Sequence, residues 1–258
     1  MKTFVTTVLK PDEETVRFAK ERAIVLGFPY VPRRGLLEDE AKTAGADGFL
    51  IYGRQLPVYW TPKGMYRFHL GTAVLRIHEM EKGNHDRLCS LLPENCSSVL
   101  DCTFGQGGDA TVLSWFLGEK GNVTSLEKST ELFEIGKTGL AAFTSKRKDI
   151  DAALRRISIL RFDFKEYLQT VPEKSFDVVY FDTMFRAPVK REENHAEGFR
   201  AAACYDLLDD DVLRLAMRAA KRKVIVKERP FSIVFKSPLF TEIHARKGQT
   251  TAYGEIRL

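Results

Sequence analysis

Beyond residue 96 the chain alternates short apolar runs with stretches of helical periodicity. The runs are Ser97–Cys102, Asn122–Leu126, Ile157–Arg161, Asp177–Phe181 and Val224–Lys227. Runs of this length, alternating with helices, predict strands buried on both faces. Between them lie predicted helices at Asp109–Leu117, Thr130–Phe143, Lys165–Gln169 and Asp209–Ala220. The last has three aspartates at its start and Lys221, Arg222 and Lys223 at its end, the order that complements a helix dipole. Two more strands, Phe240–Ala245 and Thr251–Arg257, flank Lys-Gly-Gln-Thr and predict a closing hairpin. Strand and helix in strict alternation predict an α/β fold, a parallel sheet with right-handed crossovers.

The first 88 residues follow another pattern. Thr3–Leu9 is strand-like. Pro11-Asp-Glu-Glu14 opens a helix that runs to Leu26, where Gly27-Phe-Pro-Tyr-Val-Pro32 breaks it. Leu36–Thr43 predicts a helix, Gly48–Tyr52 and Pro57–Trp60 short strands, and Gly71–Met80 another helix. We therefore expect a smaller N-terminal α+β domain, 1–88, a possible substrate-binding or lid region, and a larger domain, 89–258.

Composition bounds the class. Of 258 residues, 44% are hydrophobic and 29% charged, an ordinary globular balance. No 18-residue uncharged apolar stretch occurs, and the N-terminus lacks a small-residue cleavage site. Cys89, Cys96, Cys102 and Cys204 form no CxxC pair and match no zinc spacing, so reduced thiols, a cytoplasmic location and no metal are expected. The net charge of +5 mildly favours a polyanionic partner.

In an open α/β sheet, ligands bind beyond the carboxyl ends of the strands, so the residues that follow each strand carry the chemistry. The first strand leads into Asp101-Cys-Thr-Phe-Gly-Gln-Gly-Gly-Asp109 and then a helix. Gly105, Gly107 and Gly108 permit a tight turn and close approach of a ligand to the backbone, although a glycine-rich turn is common without one. Asp101 would repel a pyrophosphate but suits the ammonium group of S-adenosylmethionine. Glu127 ends the second strand, 22 positions beyond Gly105, where an acid can accept both ribose hydroxyls; nicotinamide cofactors use an acid there too. Asp163, in Arg161-Phe-Asp-Phe164, is placed to accept from an adenine amino group with Phe164 beside the ring, and equally to cap the following helix.

The fourth strand ends in Asp182-Thr-Met-Phe185. An acid at this point, then two residues and an aromatic, fits methyl transfer to an exocyclic amine. Such a nitrogen shares its lone pair with the ring. Acceptors for its two N–H groups, here Asp182 and a carbonyl of Thr183 or Met184, draw the pair out of conjugation and aim it. Phe185 would stack on the base, and Asp182 and Phe185 are the expected catalytic pair. Arg186 and Lys190 in the next loop, with Lys227 and Arg229 after the fifth strand, are candidates for substrate phosphates, or else solvated charges. His69 is a lone histidine, a type more often structural.

Asp-x-Thr-x-Gly-x-Gly-x-Asp-Ala at 101–110, Leu-Glu-Lys at 126–128, Val-Val-Tyr-Phe-Asp-x-Met-Phe at 178–185 and Val-Ile-Val-Lys-x-Arg-Pro at 224–230 together resemble the small-subunit ribosomal RNA guanine-N2 methyltransferases, as a divergent relative. The resemblance implies a class I (Rossmann-like) sheet ending in a reversed strand, S-adenosylmethionine as donor and ribosomal RNA as partner. It carries cofactor contacts to Gly108 and Asp109, Glu127 and Lys128, Asp163 and Phe164, and Asp182. The family's Asp-Pro-Met-Phe-Pro reads differently here, with Thr183 and Arg186 in place of the prolines. Transfer to a small molecule or protein, a non-catalytic cofactor- or RNA-binding module, and a nicotinamide-dependent oxidoreductase are the alternatives.

Overall fold

The computed structural model describes residues 1–183 and 208–258. These fall into two compact units. The first comprises Met1–His69 with Ser129–Phe143; the second comprises Leu70–Lys128 and the described residues from Thr144 onward. The units thus part at His69, earlier than the boundary read near residue 88, and one helix of the C-terminal half clusters with the N-terminal unit.

In the first unit, a four-stranded sheet runs in the order β1 (Thr3–Thr7), β2 (Gly48–Tyr52), β3 (Val58–Thr61), β4 (Gly64–Arg67), with β1 parallel to β2 and the rest antiparallel. β4 is an addition to the sequence reading. Helix α1 (Glu13–Leu26) is capped by Asp12, whose side chain accepts from the Thr15 amide, and closed by Gly27 in the left-handed region. Helix α2 is Leu37–Ala44. Helix α5 (Thr130–Ala142) packs on this sheet, and Gly139 is what lets it approach. A Cβ there would sit 2.1 Å from the buried Phe68 ring. Buried Glu134, on the same helix, accepts from Arg22 Nε at 2.9 Å, Arg22 Nη2 at 2.6 Å and the Tyr52 hydroxyl at 2.8 Å.

In the second unit, a seven-stranded sheet has the order β10-β11-β9-β8-β5-β6-β7. Its strands are β5 (Ser98–Asp101), β6 (Asn122–Glu127), β7 (Ile157–Arg161), β8 (Phe176–Asp182), β9 (Ala220–Glu228), β10 (Glu242–His244) and β11 (Ala252–Arg257). β7, β6, β5, β8 and β9 are mutually parallel; β11 inserts antiparallel between β9 and β10. The closing hairpin therefore supplies the reversed strand of a class I methyltransferase sheet. Helices α7 (Phe164–Thr170) and α8 (Asp210–Ala219) cover one face, where Leu100, Leu126, Val179, Phe181, Val224 and Val226 form the core with Leu168, Leu213 and Ala216. Helices α4 (Gly108–Leu117) and α6 (Lys148–Arg155) pack on the sheet through β6 and β7, and α3 (Ala73–Glu81) packs on α4.

Two expectations are corrected. Lys221, Arg222 and Lys223 do not end a helix: α8 stops at Ala219 and β9 begins at Ala220, because Ala220 already pairs with Phe176 and Lys223 with Arg257. Helix α6, absent from the sequence reading, fills the connection before β7. No described helix is long and apolar enough to cross a membrane.

Candidate active site

The strand order reverses between β5 and β8. To one side the chain proceeds through β6 and β7, to the other through β9. At this switch point the loop after β5 and the tip of β8 face the same sheet edge. Register places Asp101 opposite Tyr180 and Ser125, Glu127 opposite Arg161, and Asp182 opposite Lys227. The acids predicted at successive strand ends thus share one edge of one sheet.

Asp101 lies beneath the loop rather than on its surface, at 1% exposure. One of its oxygens accepts the Thr103 amide at 3.1 Å and the other accepts the Ser125 hydroxyl at 3.0 Å. Burial pushes its carboxyl up to about 7, with Asp109 and Asp182 adding to the shift. Its bonds shape the loop, where a direct ammonium contact was expected. Above it, Gly105 and Gly107 adopt φ of +55° and +76°. The Gly105 amide donates to Glu127 Oε2 at 3.1 Å, which ties loop to strand tip. A Cβ at Gly107 would strike the Phe104 ring at 2.6 Å, whereas one at Gly108 would meet nothing within 4 Å. The chain is therefore open beside Gly108, in the first turn of α4, while the Glu127 carboxylate holds the loop at Gly105.

Asp163 caps α7, accepting the Lys165 amide at 2.7 Å, and pairs with Lys128 Nζ at 2.7 Å. Burial would raise its pKa, but Lys128 and the capping amides outweigh that and hold it below the usual range. Phe164, read as lying beside the adenine, faces the core in this structure. It is buried and packs edge-on against Phe181 at 5.5 Å, because it opens α7 on the side facing the core. The exposed aromatic of this segment is Phe162, at 45%.

The largest departure concerns Asp109 and Lys227. Asp109, expected as a cofactor contact, is enclosed: Arg76 donates to Oδ1, and Tyr180 Oη and Lys227 Nζ lie 2.8 and 2.9 Å from Oδ2. Lys227, expected to hold a substrate phosphate, instead places Nζ 2.7 Å from Asp182 Oδ2 as well. Both partners are carboxylates, Asp109 in the first turn of α4 and Asp182 at the tip of β8, so its charge is already paired. Burial alone would raise Asp109, yet Lys227 and Arg76 hold it well below the carboxylate range. For Asp182 the net direction is upward: desolvation raises the carboxyl, Lys227 opposes and Asp109 adds. The Asp182 amide donates to Thr103 Oγ1 at 2.7 Å, joining β8 to the glycine loop. Arg76 closes the chain of charges by donating to Asp86 from Nε at 2.8 Å and Nη2 at 3.0 Å. Arg76 and Tyr180 were not singled out in the sequence. An arginine in a helix and a tyrosine within a buried strand carry no local mark of such a role. Arg229 follows β9 as read. Met184, Phe185, Arg186 and Lys190 lie outside the described residues.

Comparison with known proteins decides the family. Residues 67–244 match the family described as "Putative SAM-dependent methyltransferase". The chain belongs to this family. It is an S-adenosylmethionine-dependent methyltransferase. The Bacillus subtilis (strain 168) protein YpiP is 30% identical over 260 residues, covering 98% of each chain. Among solved structures, the SAM-dependent methyltransferase NGO1261 of Neisseria gonorrhoeae superposes with a TM-score of 0.62 over 98% of this chain and 95% of its own, at 17% identity. That likeness extends the shared fold across both units. The residues of this methyltransferase fit its cofactor: a glycine turn open beside Gly108 and an acid, Glu127, at the tip of β6.

Proposed function

We propose that this methyltransferase acts on an exocyclic amine of a base in RNA, the N2 of a guanine in ribosomal RNA. The observation that carries the reading is the place of Asp182: last residue of β8, at the switch point, with Oδ2 on Lys227 and its amide on the glycine loop. Its side chain keeps 31% exposure in an otherwise buried cluster, so it can meet a substrate.

The cofactor is held by Gly108 and the backbone of the loop, by Glu127 on the ribose and by Asp163 at the adenine. When bound, the sulfonium supplies an electrophilic methyl group, and the C–S electron pair leaves with sulfur. Asp182 accepts one N–H of the acceptor amine, with a carbonyl of Thr183 or Met184 taking the other. The nitrogen lone pair then forms the new N–C bond, and the N–H proton is lost to water without a dedicated base. Arg186, Lys190 and Arg229 are the residues proposed for RNA phosphates.

Thr183 and Arg186, which replace the prolines of the resembled motif, together with the internal pairing of Lys227, favour a second reading: transfer to a small molecule or a protein. A filter assay with labelled donor separates the two. Label in small-subunit RNA, lost in Asp182→Ala while adenosylhomocysteine still binds by calorimetry, supports the first. Label in a small-molecule or protein fraction with none in RNA overturns it.

A further inference from the structure

We infer that Lys227 is a positioning residue for methyl transfer, anchored through Asp109 and Arg76 so that it fixes the orientation of the Asp182 carboxylate. This rests on the reading of Asp182 above and extends it to residues that touch neither cofactor nor substrate.

The geometry is a single file of alternating charge. Asp86 holds Arg76 by two bonds, and is itself fixed by the Leu88 and Cys89 amides at 3.0 and 3.1 Å. Arg76 donates to one oxygen of Asp109, and Lys227 donates to the other at 2.9 Å. Lys227 then reaches Asp182 Oδ2 at 2.7 Å. Each bond constrains the next, because a half-buried ammonium with two carboxylate partners has little freedom to swing. With Oδ2 engaged and the Asp182 amide held by Thr103, the second oxygen, Oδ1, is the one presented to an acceptor.

The charge arithmetic requires the lysine. Asp109 and Asp182 meet at one ammonium, and two neighbouring carboxylates cannot both stay ionised unaided. Tyr180 of β8 and Tyr253 of β11 face the same group, and both are buried. Among the described contacts, the cations on this cluster are Lys227 and, on the far side of Asp109, Arg76. Desolvation and Asp109 already push the Asp182 carboxyl up against the pull of Lys227, so removing the ammonium moves its ionisation further up. A lysine that only filled space would leave that ionisation unchanged.

The test uses the full-length enzyme. In Lys227→Met, carboxyl 13C NMR of the ligand-free protein should show Asp182 titrating at least about one pH unit higher. The acid limb of kcat/KM should move by the same amount, and kcat at neutral pH should fall about 100-fold, with adenosylhomocysteine affinity within about threefold of wild type. Lys227→Arg should recover part of the rate and restore the profile. Because Lys227→Met leaves Asp109 with Arg76 as its remaining cation partner, Lys227→Met with Asp109→Asn is the folding control, and it should bind adenosylhomocysteine yet remain slow. An unchanged titration and pH profile in Lys227→Met, or full activity in the double variant, overturns the inference. If Asp182→Asn transfers methyl at the wild-type rate, the reading of Asp182 falls first and takes this one with it.

Discussion

The amide of Gly105 donates to Oε2 of Glu127 at 3.1 Å across 22 residues of sequence, so the loop that leaves β5 is held by the acid that ends β6. One carboxylate thereby serves two ends: it shapes the cradle and supplies the acceptor proposed for the ribose. Glu127→Ala should weaken adenosylhomocysteine binding by about 100-fold, the sum of a lost charged acceptor and a loosened loop. Glu127→Gln keeps an oxygen for Gly105 and should lose about tenfold. Calorimetry on the two variants measures the difference. Equal affinities for both would show that charge, not loop shape, is what the ligand uses.

Asp101 links the site to pH. Its carboxyl is raised from 3.8 to about 7, so between those values the folded chain holds a proton that the unfolded chain has released. Stability from this residue is therefore greatest at low pH and falls as pH rises from about 4 to about 7, by up to about 1.4 kcal/mol per pH unit. Asp101→Asn keeps an acceptor for Thr103 and cannot ionise. Its melting temperature relative to wild type should climb across that window and level off above it. A constant difference between pH 5 and 8 would show that Asp101 is charged in the folded state.

Gly107 is the position where the loop turns with φ of +76° and where the Phe104 ring leaves no room for a Cβ. Gly107→Ala combines left-handed strain with a clash against a buried ring, and should destabilise the protein by about 1–3 kcal/mol and weaken cofactor binding together. Gly108→Ala is the matched control. Nothing lies within 4 Å of its Cβ, and its φ is not in the left-handed region, so the apo protein should keep its stability. A loss of cofactor affinity in that variant alone would mark the space above Gly108 as the ligand's own.

What could be read from sequence depended on how local the cause was. Val178–Phe181 and Val224–Val226 are apolar at every position because both faces of their strands are covered, so β8 and the centre of β9 stand out. The acids at the strand tips were legible for the same reason, since a charge that ends an apolar run marks its carboxyl end. Helix α6 was not, because Ile150, Ala153 and Leu154 carry a correct apolar stripe inside a stretch otherwise so charged that it resembles a loop. The ion pairs of Lys227 were not legible for a different reason. A lysine at a strand tip is ordinarily solvated, and only the sheet order brings it to partners 45 and 118 residues away. The glycine loop was visible as a ligand site, but the charge network beneath it exists only in three dimensions.

The first unit offers a test independent of the chemistry. Glu134 is 2% exposed and takes three hydrogen bonds, from Arg22 and Tyr52. Its removal strands a guanidinium and a phenol that were desolvated for its sake, so Glu134→Ala should cost about 3–5 kcal/mol. Arg22 keeps 21% exposure and can partly rehydrate, which places the expected loss toward the lower end. Arg22→Met combined with Glu134→Leu removes both charges and leaves one buried hydroxyl, and should recover at least half of the loss. Denaturant unfolding of the two variants decides the matter. If the double variant is as unstable as Glu134→Ala, the cost lies in packing between α5 and the four-stranded sheet rather than in an unpaired charge.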